Sequence, residues 1–380
     1  METVAPFKEA ADMIKEVVGQ ELLPCWQCGL CTATCPWNSV RGFVPHKMIR
    51  QTQFGLFDLE AEDWWLCTTC KHCMSRCPRG VGIIDIMKAT RAILIENRSA
   101  PASLRNVMAS LGGIGNPMGE PREQRASWAK DLNIKHFDKD TALLYFSCCI
   151  AALDKNATGI ARATAGILHK MGENFGILGI EENCCGESIR KAGNESLFEQ
   201  LAQSNIAAFS GSGVKEVVVS SPHCYTTFKD EYPALGANFK ITHFTQYLVK
   251  LLDKGKLKFS KELNKKVVYH DPCYLGRHNG IYEEPRRVLG SIPGITLMDE
   301  VVSHEESLCC GGGAGRIWQE TKKGERFSDI LVEQAIEMGA EILATACPYC
   351  VINFKDSVLA ADKGDVLEIK EISEIVQEAI

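Results

Sequence analysis

The sequence lacks any long apolar run. No stretch approaches the roughly 20 apolar residues that a helix needs to cross a bilayer, and residues 1–9 lack a basic segment followed by an apolar core. The net charge of −6 gives no electrostatic footprint for nucleic acid. We therefore expect a cytoplasmic protein without a signal peptide, a transmembrane segment or a nucleic-acid partner. Peripheral membrane association would have to come through another subunit.

Nucleotide-binding fingerprints are missing as well. The glycines between Gly112 and Gly119 have the wrong spacing for a dinucleotide site, and no strand is predicted before them. The glycines at positions 311–313 are not followed by the Lys-Ser/Thr pair of a phosphate-binding loop. The chain has no flavin-binding motif either, so we expect any flavin to be bound by a partner protein.

Cysteine, by contrast, is abundant, with 18 residues in the chain. Eight of them fall in two copies of one pattern that ends in proline. The copies are Cys25, Cys28, Cys31, Cys35 with Pro36, and Cys67, Cys70, Cys73, Cys77 with Pro78. This is the spacing of bacterial ferredoxins, in which each run gives three thiolates to one 4Fe–4S cubane cluster and its fourth to the other. The pattern favours one-electron transfer as the chemistry of the chain.

The spacing predicts two cubane clusters with crossed ligands. The first cluster would use Cys25, Cys28, Cys31 and Cys77, and the second would use Cys67, Cys70, Cys73 and Cys35. A pair of zinc sites and a disulfide framework are the alternatives. Zinc takes four ligands per site and does not use a repeated three-plus-one run. The cysteines fall at metal-ligand spacings, and no signal peptide is visible. Both features favour a reducing compartment, in which disulfides are rare.

The cysteine runs lie within a helical pattern. Amphipathic or helix-forming segments are predicted from Pro6 to Gln20, from Pro45 to Phe57 and from Ile83 to Asn97. They frame the two runs, and we assign residues 1–97 to a helical ferredoxin module with two 4Fe–4S clusters. Residues 98–140 show no strong periodicity and are interpreted as a packed connector.

From Thr141 onward the pattern changes. Short β-branched runs alternate with helices, including one long helix predicted from Glu187 to Phe209. Such alternation predicts α/β units with mostly parallel strands. We assign a first α/β domain to residues 141–260 and a second to residues 261–380.

The α/β half contains an internal duplication. The first copy has Cys148-Cys149, Cys184-Cys185-Gly186 and Ser221-Pro222-His223-Cys224, and the second has Pro272-Cys273, Cys309-Cys310-Gly311 and Cys347-Pro348-Tyr349-Cys350. The separations between corresponding cysteines agree to within one residue, which indicates two copies of one unit. Each copy places its cysteines just after predicted strands, at the end of a parallel sheet where ligands bind.

This tandem arrangement resembles the cysteine-rich domain of the heterodisulfide reductase family. From about Pro24 to Lys355, the chain resembles a fusion of that family's two-cluster ferredoxin-like subunit with its duplicated cysteine-rich (CCG) subunit. Similar fusions occur in membrane-linked heterodisulfide reductase, dissimilatory sulfite-reduction complexes, class II benzoyl-CoA reductase complexes and the iron–sulfur subunits of glycolate and lactate oxidases. The resemblance implies an α/β protein in which the ferredoxin module precedes two tandem CCG domains.

The resemblance also implies ligands in the duplicated half. A complete set in this family resembles the binder of a non-cubane 4Fe–4S cluster held by five thiolates, which here are Cys273, Cys309, Cys310, Cys347 and Cys350. The first copy has Ser221 where the second has Cys347, and it carries an additional Cys148. Its candidate ligands are Cys149, Cys184, Cys185 and Cys224. Three outcomes stay open there: weak ligation by Ser221, substitution by Cys148, or no further cluster.

Together these features predict an electron-transfer subunit. Two cubane clusters would pass electrons to or from the non-cubane cluster, in a hetero-oligomeric complex with a flavoprotein or other redox subunits. A catalytic alternative is a disulfide reductase that cleaves a thiol-coenzyme heterodisulfide at Cys309 and Cys310. The complete second set favours this alternative and the altered first set disfavours it. The iron–sulfur subunit of a quinone-linked 2-hydroxy-acid oxidase and a zinc-binding scaffold are the remaining alternatives.

Several polar residues lie beside the cysteines. Arg277 could anchor a substrate carboxylate and His278 could deliver a proton, or both could cap the following helix or face solvent. His72 and His223 are expected to supply polarity around a cluster rather than to ligate it.

Overall fold

The computed structural model describes residues 6–19, 24–56, 58 and 60–380. Within these residues, the α-helices of the N-terminal module are α1 (Lys8–Val18), α2 (Leu30–Ala33), α3 (Pro45–Phe54), α4 (His72–Ser75) and α5 (Ile83–Glu96). α1 packs against α3 and α5 through one buried apolar stripe. The short helices α2 and α4 each carry the third cysteine of a run. Gln20 and Phe57, the predicted ends of two helices, lie outside the described residues.

The connector is more regular than its sequence indicates. It contains α6 (Ala102–Ile114) and a 3-10 helix at Arg122–Ala129. The buried face of α6 consists of Leu104, Val107 and Leu111. The prediction missed this helix because Gly112 and Gly113 suggest a turn, although both lie inside its last turns.

The first α/β repeat is built on a four-stranded sheet. Its strands are β1 (Leu143–Phe146), β2 (Phe175–Gly176), β3 (Glu216–Val219) and β4 (Lys240–His243). Its helices are α7 (Cys149–Leu153), α8 (Thr158–Lys170), α9 (Glu187–Lys191), α10 (Glu195–Gly211), α11 (Pro222–Thr226) and α12 (Phe244–Asp253). All strand pairs are parallel, in the order β2-β1-β3-β4.

The second repeat has the same topology. Its strands are β5 (Lys266–His270), β6 (Thr296–Asp299), β7 (Ile342–Thr345) and β8 (Glu368–Glu371). Its helices are α13 (Gly276–Asn279), α14 (Glu283–Gly290), α15 (Phe327–Glu337), α16 (Pro348–Ala360) and α17 (Ile372–Ala379). The strands are again parallel, in the corresponding order β6-β5-β7-β8. The duplication inferred from the cysteines therefore extends to the whole fold of each unit.

The two repeats share their helical layers. The last helix of each repeat packs against the other: α12 lies against α14, and α17 lies against α8. Glycine permits the second contact, because a Cβ atom on Gly159 would stand 2.5 Å from the Glu374 carboxylate. This exchange brings the cysteine-bearing loops of the two repeats close to each other. No helix in the described ranges is both long and apolar enough to cross a membrane.

One predicted helix is divided in two. The segment expected to be helical from Glu187 to Phe209 forms α9 and α10, with a break at Gly193. Gly193 has φ +99°, and a Cβ atom there would lie 2.5 Å from the backbone nitrogen of Ala92. The helix is interrupted because α5 of the N-terminal module approaches the backbone at this point, a contact that the local sequence does not reveal.

Candidate metal centres

The eight N-terminal cysteines form two groups. The fourth cysteine of each run lies with the first three of the other run. One group is Cys25, Cys28, Cys31 and Cys77, which border one small cavity, and the other is Cys67, Cys70, Cys73 and Cys35. This is the crossed arrangement that the ferredoxin spacing predicts, whereas ligation of iron by these residues stays a prediction.

Both cysteine runs fold into the same loop. In the first run, Gln27 and Gly29 have φ of 58° and 79°, and in the second, Thr69 and Lys71 have φ of 53° and 68°. These pairs occupy corresponding positions on either side of the second cysteine. Left-handed conformations are unfavourable for residues other than glycine, so their repetition shows that the cysteine positions, rather than local preference, determine the path of the loop.

The second repeat buries five cysteines in one chain of contacts, which we call the second-repeat set. In order of contact they are Cys273, Cys309, Cys310, Cys350 and Cys347. The sulfur atoms of Cys273 and Cys309 are 3.8 Å apart, and those of Cys310 and Cys350 are 3.3 Å apart. The backbone N–H of Gly311 donates to Cys309 Sγ at 3.3 Å. Cys273 follows β5, Cys347 and Cys350 follow β7, and the other two lie in the loop between β6 and α15. All five are therefore at one end of the sheet.

The first repeat has a matching chain, the first-repeat set. In order of contact its members are Cys149, Cys184, Cys185, Cys224 and Cys148. Contacts with Cys184 and Cys224, against the opposing effect of burial, lower the pKa of Cys185 to about 7. The structure thus adds Cys148 to the four candidates predicted for this repeat, and it places Ser221 beside Cys148.

The second cysteine run lies directly against the second-repeat set. The thiols of Cys70 and Cys309 are in contact, and this contact together with burial raises the pKa of Cys70 well above its ordinary value. A Cβ atom on Gly313 would stand 2.2 Å from the carbonyl oxygen of Thr68. The cysteine loop of the ferredoxin module and the glycine loop of the second repeat are therefore packed backbone against backbone.

Arg277 and His278 hold this junction together. Arg277 donates from Nε to the Cys70 carbonyl at 2.8 Å, and His278 Nε2 lies 2.9 Å from the Thr69 carbonyl oxygen. The hydroxyl of Tyr274 lies 2.7 Å from that of Thr69. The interpretation that Arg277 and His278 face solvent is wrong, because both contact the backbone of a segment far away in the sequence. Both residues therefore fix the position of the second cysteine loop.

A buried histidine joins the two repeats. His223 of the first repeat stacks between Tyr274 and Tyr349 of the second, with ring centroids 4.0 and 4.3 Å apart. Its Nδ1 lies 3.0 Å from Glu187 Oε2, and its side chain also hydrogen-bonds Cys347. Burial lowers the pKa of His223, but Glu187 outweighs that effect and leaves the pKa well above its ordinary value. The histidine thus supplies polarity beside the second-repeat set, as expected from the sequence.

Sequence reasoning missed Arg125. Its guanidinium lies in the connector, is buried, and donates from Nη1 to Cys149 Sγ at 3.0 Å. Glu182 pairs with the same guanidinium at 3.1 Å. Burial raises the pKa of Glu182, although Arg125 opposes that shift. Nothing near Arg125 in the sequence signals this role, since the connector carries no cysteine.

A cavity of about 320 Å³ opens beside the second-repeat set. Cys310 and Gly311 border it, together with Trp37, Arg316 and Asn353. Asn353 donates to the Cys310 carbonyl at 3.0 Å. A small molecule entering this cavity would therefore meet Cys310 first among the five cysteines.

The donor chemistry of all four groups fits iron–sulfur clusters. All 18 cysteines are free thiols, and backbone N–H groups donate to several of their sulfur atoms. Within the described ranges, no three His, Cys, Asp or Glu side chains converge closely enough to hold a single metal ion. A cluster distributes its ligands over several irons, so its thiolates need not converge on one point.

Family models match most of this architecture. Residues 21–81 match a 4Fe-4S dicluster domain, and residues 143–229 and 267–355 each match a cysteine-rich domain. These matches indicate iron–sulfur clusters in both halves of the chain. A hypothetical protein from Helicobacter pylori has a similar fold, with a TM-score of 0.54 and 10% identity over 98% of this chain and 72% of that chain.

Curated relatives agree with the family models. EtfAB:quinone oxidoreductase of Syntrophomonas wolfei is 34% identical and the probable iron-sulfur-binding oxidoreductase FadF of Bacillus subtilis 33%, each over 84% of this chain. The chain spans about half of both relatives, 47% of their length. A subunit of the dihydromethanophenazine:CoB–CoM heterodisulfide reductase of Methanosarcina barkeri is 32% identical over 95% of this chain and 94% of its own length. The chain belongs to the family of iron–sulfur proteins that includes this heterodisulfide reductase subunit.

Proposed function

We propose that the chain relays single electrons between a partner protein at its N-terminal module and the second-repeat set. The contact between Cys70 and Cys309 carries this proposal. Among the 18 cysteines, all of which lie within the described ranges, Cys28 alone is exposed, whereas the second-repeat set is buried. The two N-terminal groups and the second-repeat set therefore form a series from the surface to the interior.

The proposed ligands are those expected from spacing and resemblance. Two cubane clusters would be held by Cys25, Cys28, Cys31 and Cys77 and by Cys67, Cys70, Cys73 and Cys35, and a non-cubane cluster by Cys273, Cys309, Cys310, Cys347 and Cys350. When bound, these clusters supply one-electron transfer. The protein holds the cysteine loops at fixed separations, excludes water from the inner sets and directs hydrogen bonds at their sulfur atoms.

The surface around Cys28 suits a redox partner. Trp26 and Leu30 beside it are 70% and 40% exposed, and the Arg79 guanidinium lies 4.4 Å from the Trp26 ring centroid. The residues that line the cavity beside Cys28 include Arg79 but no Asp or Glu. We infer that the partner is a flavoprotein or another redox subunit, with acidic residues around its redox group. Free thiols in this number suit the cytoplasm, with any membrane association supplied by the partner.

Replacing Gly313 with alanine tests the relay. A Cβ atom at this position collides with the Thr68 carbonyl, and such overpacking costs about 1–3 kcal/mol, so the glycine loop must move away from the cysteine loop. We expect slower reduction of the second-repeat centre, with the N-terminal clusters reduced at the wild-type rate. Freeze-quench paramagnetic spectroscopy of the full chain mixed anaerobically with a reductant would follow each centre.

Gly113→Ala is the matched control. Gly113 lies inside α6, and a Cβ atom there meets no atom within 4 Å. This variant should transfer electrons at the wild-type rate. Simultaneous reduction of all centres in Gly313→Ala, at an unchanged rate, would show that electrons do not cross the contact between Cys70 and Cys309.

The cavity at Cys310 supports a second candidate function. It gives a small molecule access to the second-repeat set at Cys310, between Trp37 of the N-terminal module and the second repeat. This arrangement suits reduction of a thiol-coenzyme disulfide at Cys309 and Cys310. Oxidation of reduced viologen by the purified chain upon addition of a heterodisulfide would support this candidate, and activity only with a partner protein would favour the relay alone.

His223 should adjust the redox potential of the second-repeat set. Hydrogen bonds to ligand sulfur stabilise the more negative, reduced state of a cluster. His223→Phe keeps a ring between Tyr274 and Tyr349 but removes the hydrogen bond to Cys347. We therefore expect a more negative midpoint potential for that centre alone, measured by redox titration of its paramagnetic signal. Tyr349→Phe is the control, since it loses a hydroxyl that lies 3.2 Å from the Ser188 hydroxyl of the first repeat.

A further inference from the structure

Cys148 occupies the place of a fifth ligand in the first repeat. In the second-repeat set, Cys347 is the last cysteine of the contact chain and touches Cys350. In the first-repeat set, Cys148 is the last member and touches Cys224, which corresponds to Cys350 in the duplication. The two chains therefore have the same number of thiols and the same order of contacts, although the fifth thiol comes from a different position in the sequence.

Ser221 stands at the position that supplies the fifth thiol in the second repeat, and it lies close to Cys148. Ser221, which corresponds to Cys347, is fully buried beside Cys148. Its hydroxyl makes no hydrogen bond of ordinary geometry. Apart from the Cys148 thiol, which it contacts, this buried hydroxyl has no partner, and an incompletely satisfied buried hydroxyl costs free energy. Ser221 therefore lies directly beside the thiol that takes the place of its missing sulfur.

The backbone at Cys148 is arranged to deliver its sulfur to this place. Cys148 has φ +68° and ψ 151° at the start of α7, a conformation that is strained for any residue except glycine. Only 3% of the residue is exposed. A buried cysteine that is held in this conformation and contacts Ser221 and Cys224 is positioned by its surroundings rather than by local preference.

A buried arginine lies beside the corresponding cysteine of each repeat. Arg125 donates to Cys149 in the first-repeat set, and Arg277 lies beside Cys273, the corresponding cysteine of the second-repeat set. Both guanidiniums are buried. A buried cation next to several thiolates offsets their mutual repulsion, and Arg125 lies against Cys149 while it also pairs with Glu182. With Cys148 included, every cysteine of the chain belongs to one of four sets.

We propose that the first repeat holds an iron–sulfur cluster of its own, bound by Cys148, Cys149, Cys184, Cys185 and Cys224, in which Cys148 replaces the thiolate lost at Ser221. This inference extends the proposed function, since it adds a fourth centre to the three of the relay. It does not depend on the route of electrons between them.

A ligand exchange tests the proposal in the full-length chain. Iron and acid-labile sulfide per chain are measured after anaerobic purification, together with Mössbauer spectra. Cys148→Ser should lower the iron content by one cluster, about four irons, and remove one spectral component. Adding Ser221→Cys to Cys148→Ser should restore both, because the thiolate returns from the position that the second repeat uses. Circular dichroism confirms that each variant is folded.

The outcomes are distinguishable from those of the relay. Cys148→Ser with undiminished iron, zinc in place of iron at the first repeat, or a loss that Ser221→Cys does not restore would each overturn the proposal. Cys310→Ser tests the second-repeat set separately. Undiminished iron in Cys310→Ser would contradict the proposed relay while leaving the assignment of Cys148 intact.

Discussion

Replacing Arg125 with methionine should lower the free energy of unfolding at neutral pH by about 3–5 kcal/mol, the usual result of leaving one partner of a buried ion pair unpaired. Arg125 and Glu182 have side chains only 5% and 2% exposed. Methionine fills similar space but cannot hydrogen-bond Glu182 or Cys149. The buried carboxylate then remains without a compensating charge, and anaerobic chemical denaturation followed by circular dichroism would measure the loss.

The pH dependence of this variant has a definite sign. Burial already raises the pKa of Glu182 in the folded protein, and removal of Arg125 raises it further. Because the folded pKa then lies above the unfolded one, the folded state binds the proton more tightly. The destabilisation should therefore be largest at neutral pH and should decrease as the pH falls toward the ordinary carboxyl range.

A second substitution separates charge from packing. Glu182→Gln in the Arg125→Met background removes the unpaired carboxylate and should recover a large part of the lost stability. Arg162→Met is the matched control, since Arg162 pairs with Asp131 at 2.7 Å but both side chains are exposed, and solvent-exposed pairs contribute little to stability. Equal losses from Arg125→Met and Arg162→Met would contradict the argument.

The sequence predicts those parts of the site that depend on local spacing. The crossed grouping of Cys35 and Cys77 follows from two identical runs, since one loop geometry occurs twice. The approach of Cys273 to Cys347 and Cys350 follows from their places after β5 and β7, because parallel strands bring their carboxyl ends to one edge of a sheet. The full set of five is implied by the family resemblance. In these cases, the chemistry and the fold are encoded within a few residues of each cysteine.

Contacts between distant segments are not predictable in this way. From the sequence, Arg277 and His278 are predicted only to lie beside a cysteine. In the structure, they contact the backbone carbonyls of Cys70 and Thr69. Arg125 lies in a connector without motifs, and it reaches Cys149 only because the 3-10 helix at 122–129 packs against the first repeat. Each of these positions is determined by the packing of one module on another, for which a single sequence carries no periodic signal.

The sequence explains only part of the glycine loop of the second repeat, residues 311–313. Its sequence excludes a phosphate-binding loop, because no Lys-Ser/Thr pair follows the glycines at positions 311–313. In the structure, only glycine fits at position 313, because a Cβ atom there would collide with the Thr68 carbonyl of the N-terminal module. This requirement for glycine cannot be predicted from the sequence, because it depends on a contact with a distant segment.

Replacing Cys310 with serine should have the largest effect on function. Cys310 lies in the middle of the second-repeat set, in contact with Cys309 and Cys350. Those contacts lower the pKa of Cys310 well below its ordinary value, which favours the thiolate that binds metal. A serine hydroxyl ionises at far higher pH, so we expect loss of the second-repeat cluster, about four irons per chain, and loss of turnover with the natural electron partner.

The rest of the protein should be unaffected by Cys310→Ser. The N-terminal groups share no cysteine with the second-repeat set, so their paramagnetic signals should persist and should still respond to reductant. Leu359→Ala is the matched control, because Leu359 lies on α16, the helix that carries Cys350, and is 80% exposed. It should retain full iron content and turnover. If Cys310→Ser kept its turnover while losing the second-repeat signal, electrons would leave the N-terminal module by another route, and the contact between Cys70 and Cys309 would be structural only.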